Sequence, residues 1–137
     1  MAAEAASFVL DSSALLAYFT GESGAARVKE LLKGKPSVRP KIFLSLASLA
    51  ELAALIERQI GMHESAALLA RVADLPIKVL PLDYSSVIRA AHFQAVFNLS
   101  FAAACAVVAA MDGECSLLTT DPAFGSLMGV IQVENVG

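Results

Sequence analysis

Five short apolar runs set the limits on this chain: "SFVL" at 7–10, the residues 42–44 within "KIFLS", "IKVLPL" at 77–82, "SLLTT" at 116–120 and "VIQVEN" at 130–135. Most are continuous apolar runs with little polar alternation, so each expects burial on both faces of a sheet. Helical patterns separate them. One follows from Leu15 to Thr20, and "GESGAARVKELLKGK" gives a second, closed by Gly34. A long helix grows out of residues 42–44 and stops at Gly61, and "HESAALLARVADLP" ends at Pro76. Further helices run from Tyr84 to Phe97 and onward from Ser100. Strands alternating with helices predict an α/β fold with a mostly parallel sheet covered on both sides.

The 137 residues are the size of one domain, long enough to bury roughly 65–70% of the unfolded surface. The whole chain, 1–137, therefore reads as a single domain, without linker, repeat or low-complexity segment. Hydrophobic residues make up 57%, which raises the question of a membrane span. The stretch from Leu99 to Met111 falls short of the roughly 20 apolar residues that a spanning helix needs. "FLSLASLAELAALI" carries Glu51, which bilayer insertion penalises. "MAAEAASFVL" has no positive segment and contains Glu4, so no signal peptide is expected. A soluble, cytoplasmic protein with an apolar oligomer face is the expectation.

Cys105 and Cys115 have no His or Cys at metal-ligand spacing and are expected in the core. His63 and His92 are expected at the surface or in ordinary packing, and Met62, Met111 and Met128 as core or interface fillers. The net charge of −3 excludes a generally basic nucleic-acid binder. A local cluster of Arg27, Lys29, Lys33, Lys35, Arg39 and Lys41 is read as a solvated helix face and loop in preference to a phosphate-contacting patch.

The acids carry more information. Asp11 and Asp121 each directly follow an apolar strand, where ligand chemistry gathers in parallel α/β sheets. An Asp there is also a natural helix N-cap, and for either residue alone capping is the simpler reading. Glu51 has Leu49, Ala50, Leu52, Ala53 and Leu55 around it, and an ionised carboxylate in such surroundings is costly unless paired or metal-bound. A capping box from Ser48 to Glu51 is the alternative, although a helix start at Ser45 suits the pattern equally well. Three such acids together suggest an oxygen-ligand site for Mg²⁺ or Mn²⁺.

"FVLDSSALLAYF", "SLASLAELAALIER" and "LSFAAACAVVAAMDGECSLLTTDPAF", in that order and spacing, resemble the successive motifs of the PIN-domain ribonucleases, especially the VapC-like toxins of toxin–antitoxin pairs. The resemblance covers nearly the whole chain and implies a PIN-like three-layer α/β/α sandwich. It implies Asp11, Glu51 and Asp121 as the catalytic and metal-holding acids, with Ser13, Ser100 and Thr119 as hydroxyls orienting carboxylates or water. One position departs: the family pattern places an Asp where "LSFAAA" has Ala103, leaving a vacant acidic position. Asp112 cannot replace it, because nine residues along a helix is about 13 Å.

The resemblance further implies a metal-dependent endoribonuclease, impaired by Ala103, that acts on RNA, forms a homodimer and is neutralised by a cognate antitoxin. One alternative is a non-catalytic module on the same scaffold that binds RNA or an antitoxin peptide. Another is an enzyme using Asp11 as a nucleophile, which is disfavoured because "DSSAL" lacks the second Asp such sites use.

Overall fold

A computed structural model describes residues 6–137; residues 1–5, Glu4 among them, where no signal peptide is expected, lie outside the described residues. The apolar runs form β1 (Ser7–Leu10), β2 (Lys41–Ser45), β3 (Lys78–Leu80), β4 (Ser116–Thr119) and β5 (Val133–Asn135). They make one sheet of order β3-β2-β1-β4-β5, and every pairing in it is parallel. The helices are α1 (Ser12–Thr20), α2 (Ala25–Leu32), α3 (Leu46–Gln59), α4 (Met62–Ala73), α5 (Tyr84–Phe97) and α6 (Phe101–Gly113). A 3-10 helix at Pro122–Leu127 has no counterpart in the sequence reading, since it is too short to show a period; Asp121 caps it and Pro122 opens it.

Successive strand residues feed two separate cores, as the pleat requires. Phe8, Leu10, Ile42, Leu44 and Leu118 face the layer containing α1, α2, α3 and α4. Val9, Phe43 and Leu117 face α5 and α6. The result is the three-layer α/β/α sandwich of the expectation. Helix α6 is apolar on nearly every side because the sheet, α3 and α5 all cover it. No single helix among the described residues is long and apolar enough to cross a membrane; α5 and α6 reach that length only together and are bent by 114° at their junction.

Both cysteines are buried and unbridged, and burial pushes both thiols above their ordinary pKa. His63 and His92 are exposed. Met62, Met111 and Met128 are exposed too, so none of them fills the core. Met62 lies beside the stripe of Ser65, Leu68 and Val72 that α4 buries, and not on it.

Candidate active site at the carboxyl edge of the sheet

The strand order fixes where a site can form. From β1 the chain crosses to β2 on one side, while β4 occupies the other, so the crevice between the ends of β1 and β4 is the topological switch point. Asp11 follows β1, and Thr119 to Asp121 close β4. In β-α-β connections the helix runs antiparallel to its strands, which brings the first turns of α1, α3 and α6 to the same edge. The helices therefore need caps there, and acids and hydroxyls supply them: Asp11 for α1, Ser45 for α3, Ser100 for α6 and Asp121 for the 3-10 helix.

Capping does not exhaust Asp11. Its Oδ1 accepts the Ala14 amide at 2.9 Å, the ordinary cap bond, and also the Ser13 hydroxyl at 2.7 Å. Its Oδ2 accepts the Thr119 hydroxyl at 2.6 Å. Each hydroxyl has one hydrogen, and both are given to Asp11. Their oxygens in turn accept backbone amides, Thr120 N–H on Ser13 Oγ at 3.0 Å and Asp121 N–H on Thr119 Oγ1 at 2.9 Å. The 3.2 Å contact between the two hydroxyls is consequently a packing contact and not a further hydrogen bond. This lattice ties the start of α1 to the end of β4 through one carboxylate. Asp11 is 5% exposed, and burial holds its carboxyl above the usual 3.8, with Asp121 pushing the same way and the three hydrogen bonds opposing.

Glu51 lies in the second turn of α3, half-buried, where it accepts a hydrogen bond from Ser12 Oγ. That bond brings α3 to the residue next to Asp11. The capping-box alternative does not hold, because α3 begins at Leu46 under Ser45, and Ser48 is an interior residue whose buried hydroxyl has no partner among the described residues. Ser12 was missed by the sequence reading. Its only signal was the doubled hydroxyl in "DSS", and the helix register decides which serine faces which acid. Asp121 is exposed; its Oδ1 accepts the Ala123 amide at 2.9 Å.

Ser100 caps α6 by accepting the Ala103 amide at 3.1 Å, which places position 103 in the first turn of that helix. Ala103 is partly buried and packs against the core on the α5 and α6 side of the sheet. Ser100 makes no hydrogen bond to any of the three acids among the described residues. Asp112, at the far end of α6, is bound by Arg89 through two 2.7 Å bonds.

The donors suit a hard divalent cation in kind: carboxylate and hydroxyl oxygens, one carboxylate buried against its own preference to ionise. They fall short in number. Among the described residues, no three His, Cys, Asp or Glu side chains are grouped closely enough to hold a metal ion.

Residues 8–128 match the family model of the PIN domain, and the chain belongs to that family. Solved structures share its fold. Mycobacterium tuberculosis VapC20, described as a sarcin-ricin loop cleaving toxin, superposes with a TM-score of 0.70 at 18% identity, covering 88% of this chain and 94% of that one. VapBC2 from Rickettsia felis, bound to a DNA fragment from its promoter, gives 0.71 at 13% identity over 95% and 98%. A toxin–antitoxin complex from Klebsiella pneumoniae gives 0.67 at 15% identity over 96% and 98%. No curated protein matches the chain in sequence.

Proposed function

We propose that this chain is a VapC-type endoribonuclease dependent on Mg²⁺ or Mn²⁺, with its activity reduced because Ala103 stands where an acid completes the site. The observation that carries the reading is the Asp11 lattice: a buried carboxylate at the switch point, held on both oxygens by hydroxyls from two different elements. A cap needs one of those bonds, whereas a group that must present fixed negative charge needs them all. Asp11, Glu51 and Asp121 would hold the cation, which supplies Lewis acidity toward water and the phosphodiester. Ser13 and Thr119 fix the Asp11 oxygens, and Ser12 fixes Glu51, so the charges are positioned before any RNA arrives.

The toxin–antitoxin neighbours support an antitoxin as partner; RNA as substrate and a homodimer in the cytoplasm as the working form belong to the same proposal. The chain, 1–137, would act as a single domain. The test is cleavage of RNA with Mn²⁺. Asp11→Asn should abolish whatever activity the parent has, and Ala103→Asp should raise it well above the parent, with Asp121→Asn removing the gain. An Ala103→Asp protein no more active than the parent contradicts the impaired-site reading.

That no three acids group closely enough for a metal among the described residues favours one second reading, a PIN-fold module that binds RNA or an antitoxin peptide without cutting. Thermal unfolding separates the two. The module shows no rise in melting temperature with Mn²⁺.

A further inference from the structure

The basic residues that the sequence groups into one run do not stay together in the fold. Arg27 is drawn to β5, where Glu134 takes its Nε at 2.7 Å and its Nη2 at 3.1 Å. Arg39 and Lys41 go elsewhere, to the amino edge of the sheet, and Lys78 from a distant part of the sequence joins them in one open cleft of about 650 Å³. The register explains the meeting. Phe43 pairs with Lys78, so Lys41, two residues before Phe43, emerges on the same face of the neighbouring strand. Strands about 4.8 Å apart then carry two ammonium groups on one diagonal. Arg39 joins them with Nη1 bound to the Gly34 carbonyl at 3.1 Å, which fixes where its guanidinium points.

No acid lines this cleft, and none of the three cations is in a salt bridge among the described residues. The chain as a whole carries −3, so the concentration of positive charge is local. Pro36, Pro40 and Pro76 form part of the wall. Their fixed φ angles limit how far the backbone can rearrange, so little order has to be gained when a ligand binds.

We infer that this cleft is a second nucleic-acid contact, holding backbone phosphates of RNA through Arg39, Lys41 and Lys78 at the edge opposite the acids. It cannot be the cutting site, because the length of β2 alone separates it from the carboxyl edge by roughly 15 Å. A phosphate chain fits the observations better than an acidic peptide. Its charges recur along one strand at short intervals, and the cleft offers a guanidinium fork and two point charges without any hydrogen-bond acceptor side chain. The inference rests on the proposed RNA reading for its choice of polyanion.

The experiment is anisotropy of a labelled single-stranded RNA on the full chain in EDTA, across a salt series. Neutralising two phosphate contacts in the double variant Lys41→Ala/Lys78→Ala should flatten the slope of log affinity against log salt by roughly 1.4. The charge reversal Lys41→Glu/Lys78→Glu should weaken binding at least tenfold. Both lysines are exposed, and unchanged melting temperatures would show that the fold is intact. An unchanged slope and affinity in both variants overturns the proposal. So does loss of poly-glutamate binding with RNA binding retained, which would make the cleft an acidic-peptide site. The two readings fail separately. Cleavage that needs Asp11 but RNA affinity indifferent to the lysines sinks the cleft alone, whereas RNA held by the lysines with no cleavage in the parent or in Ala103→Asp sinks the nuclease alone.

Discussion

Strands β1 and β4 run out into acids at one edge of the sheet, whereas β2 and β3 begin in cations at the other. At the carboxyl edge hydroxyls and a backbone amide hold Asp11 on both oxygens, Ser12 bonds Glu51, and Asp121 accepts the Ala123 amide. At the amino edge Arg39, Lys41 and Lys78 meet with few bonds of any kind. The difference teaches what each edge is built to do. On the proposed nuclease reading, a carboxylate held on both oxygens, as Asp11 is, is held for geometry, as bond-making chemistry requires. Loosely held cations on a stiff wall suit a ligand read only by charge.

The contrast can be broken most forcefully at Asp11. Asp11→Ala removes a cap and leaves the Thr119 and Ser13 hydroxyls and the Ala14 amide without their acceptor, so it should cost about 2–4 kcal/mol in urea unfolding. Asp11→Asn keeps a cap oxygen and removes a charge that burial disfavours. Its stability in EDTA should match or exceed the parent while any Mn²⁺ stabilisation disappears. A large loss in Asp11→Asn would mark the carboxylate as structural and erase the distinction between the edges.

Next in size is Ala103→Asp. In EDTA it adds a partly buried charge against apolar side chains, and about 1–3 kcal/mol of destabilisation is expected. Ser12→Ala should cost less, about 1 kcal/mol, since one half-buried charge-assisted bond to Glu51 is lost; Ser12→Thr should restore it. Its sharper readout is Mn²⁺ affinity, which should fall when Glu51 is no longer held.

The smallest effect lies in acid. Asp112 is held below its ordinary 3.8 by the Arg89 guanidinium, and Asp83 by its bonds to the Ser86 amide and hydroxyl. A folded-state pKa below the unfolded one gives stability that is present above 3.8 and lost as pH falls through the lowered value. Both groups are exposed, so solvent screens most of it. Arg89→Gln should move the acid-unfolding midpoint only slightly upward, and neither sheet edge should respond.

How much could be read in advance follows from the range of each interaction. The strand and helix pattern was legible because it is local: the helix 84–97 and the strand endings at Asp11 and Asp121 needed only apolar spacing. The acids were legible because an acid after an apolar strand, or inside an apolar helix, stands out. Ser12 was not, since whether it or Ser13 meets Glu51 depends on how α1 packs on α3. The basic cleft was not either. Lys78 joins Lys41 through a β2–β3 register that no local signal encodes, and Arg27 leaves the group through a partner in the last strand.

The central claim is that the carboxyl edge is a divalent-cation site short of one acid, and titration calorimetry with Mn²⁺ addresses it without relying on RNA. The parent should bind weakly, and Ala103→Asp at least tenfold more tightly, a gain of about 1.4 kcal/mol, with Asp11→Asn abolishing binding in either background. Equal affinity in parent and Ala103→Asp, or Mn²⁺ binding that survives Asp11→Asn, would contradict it.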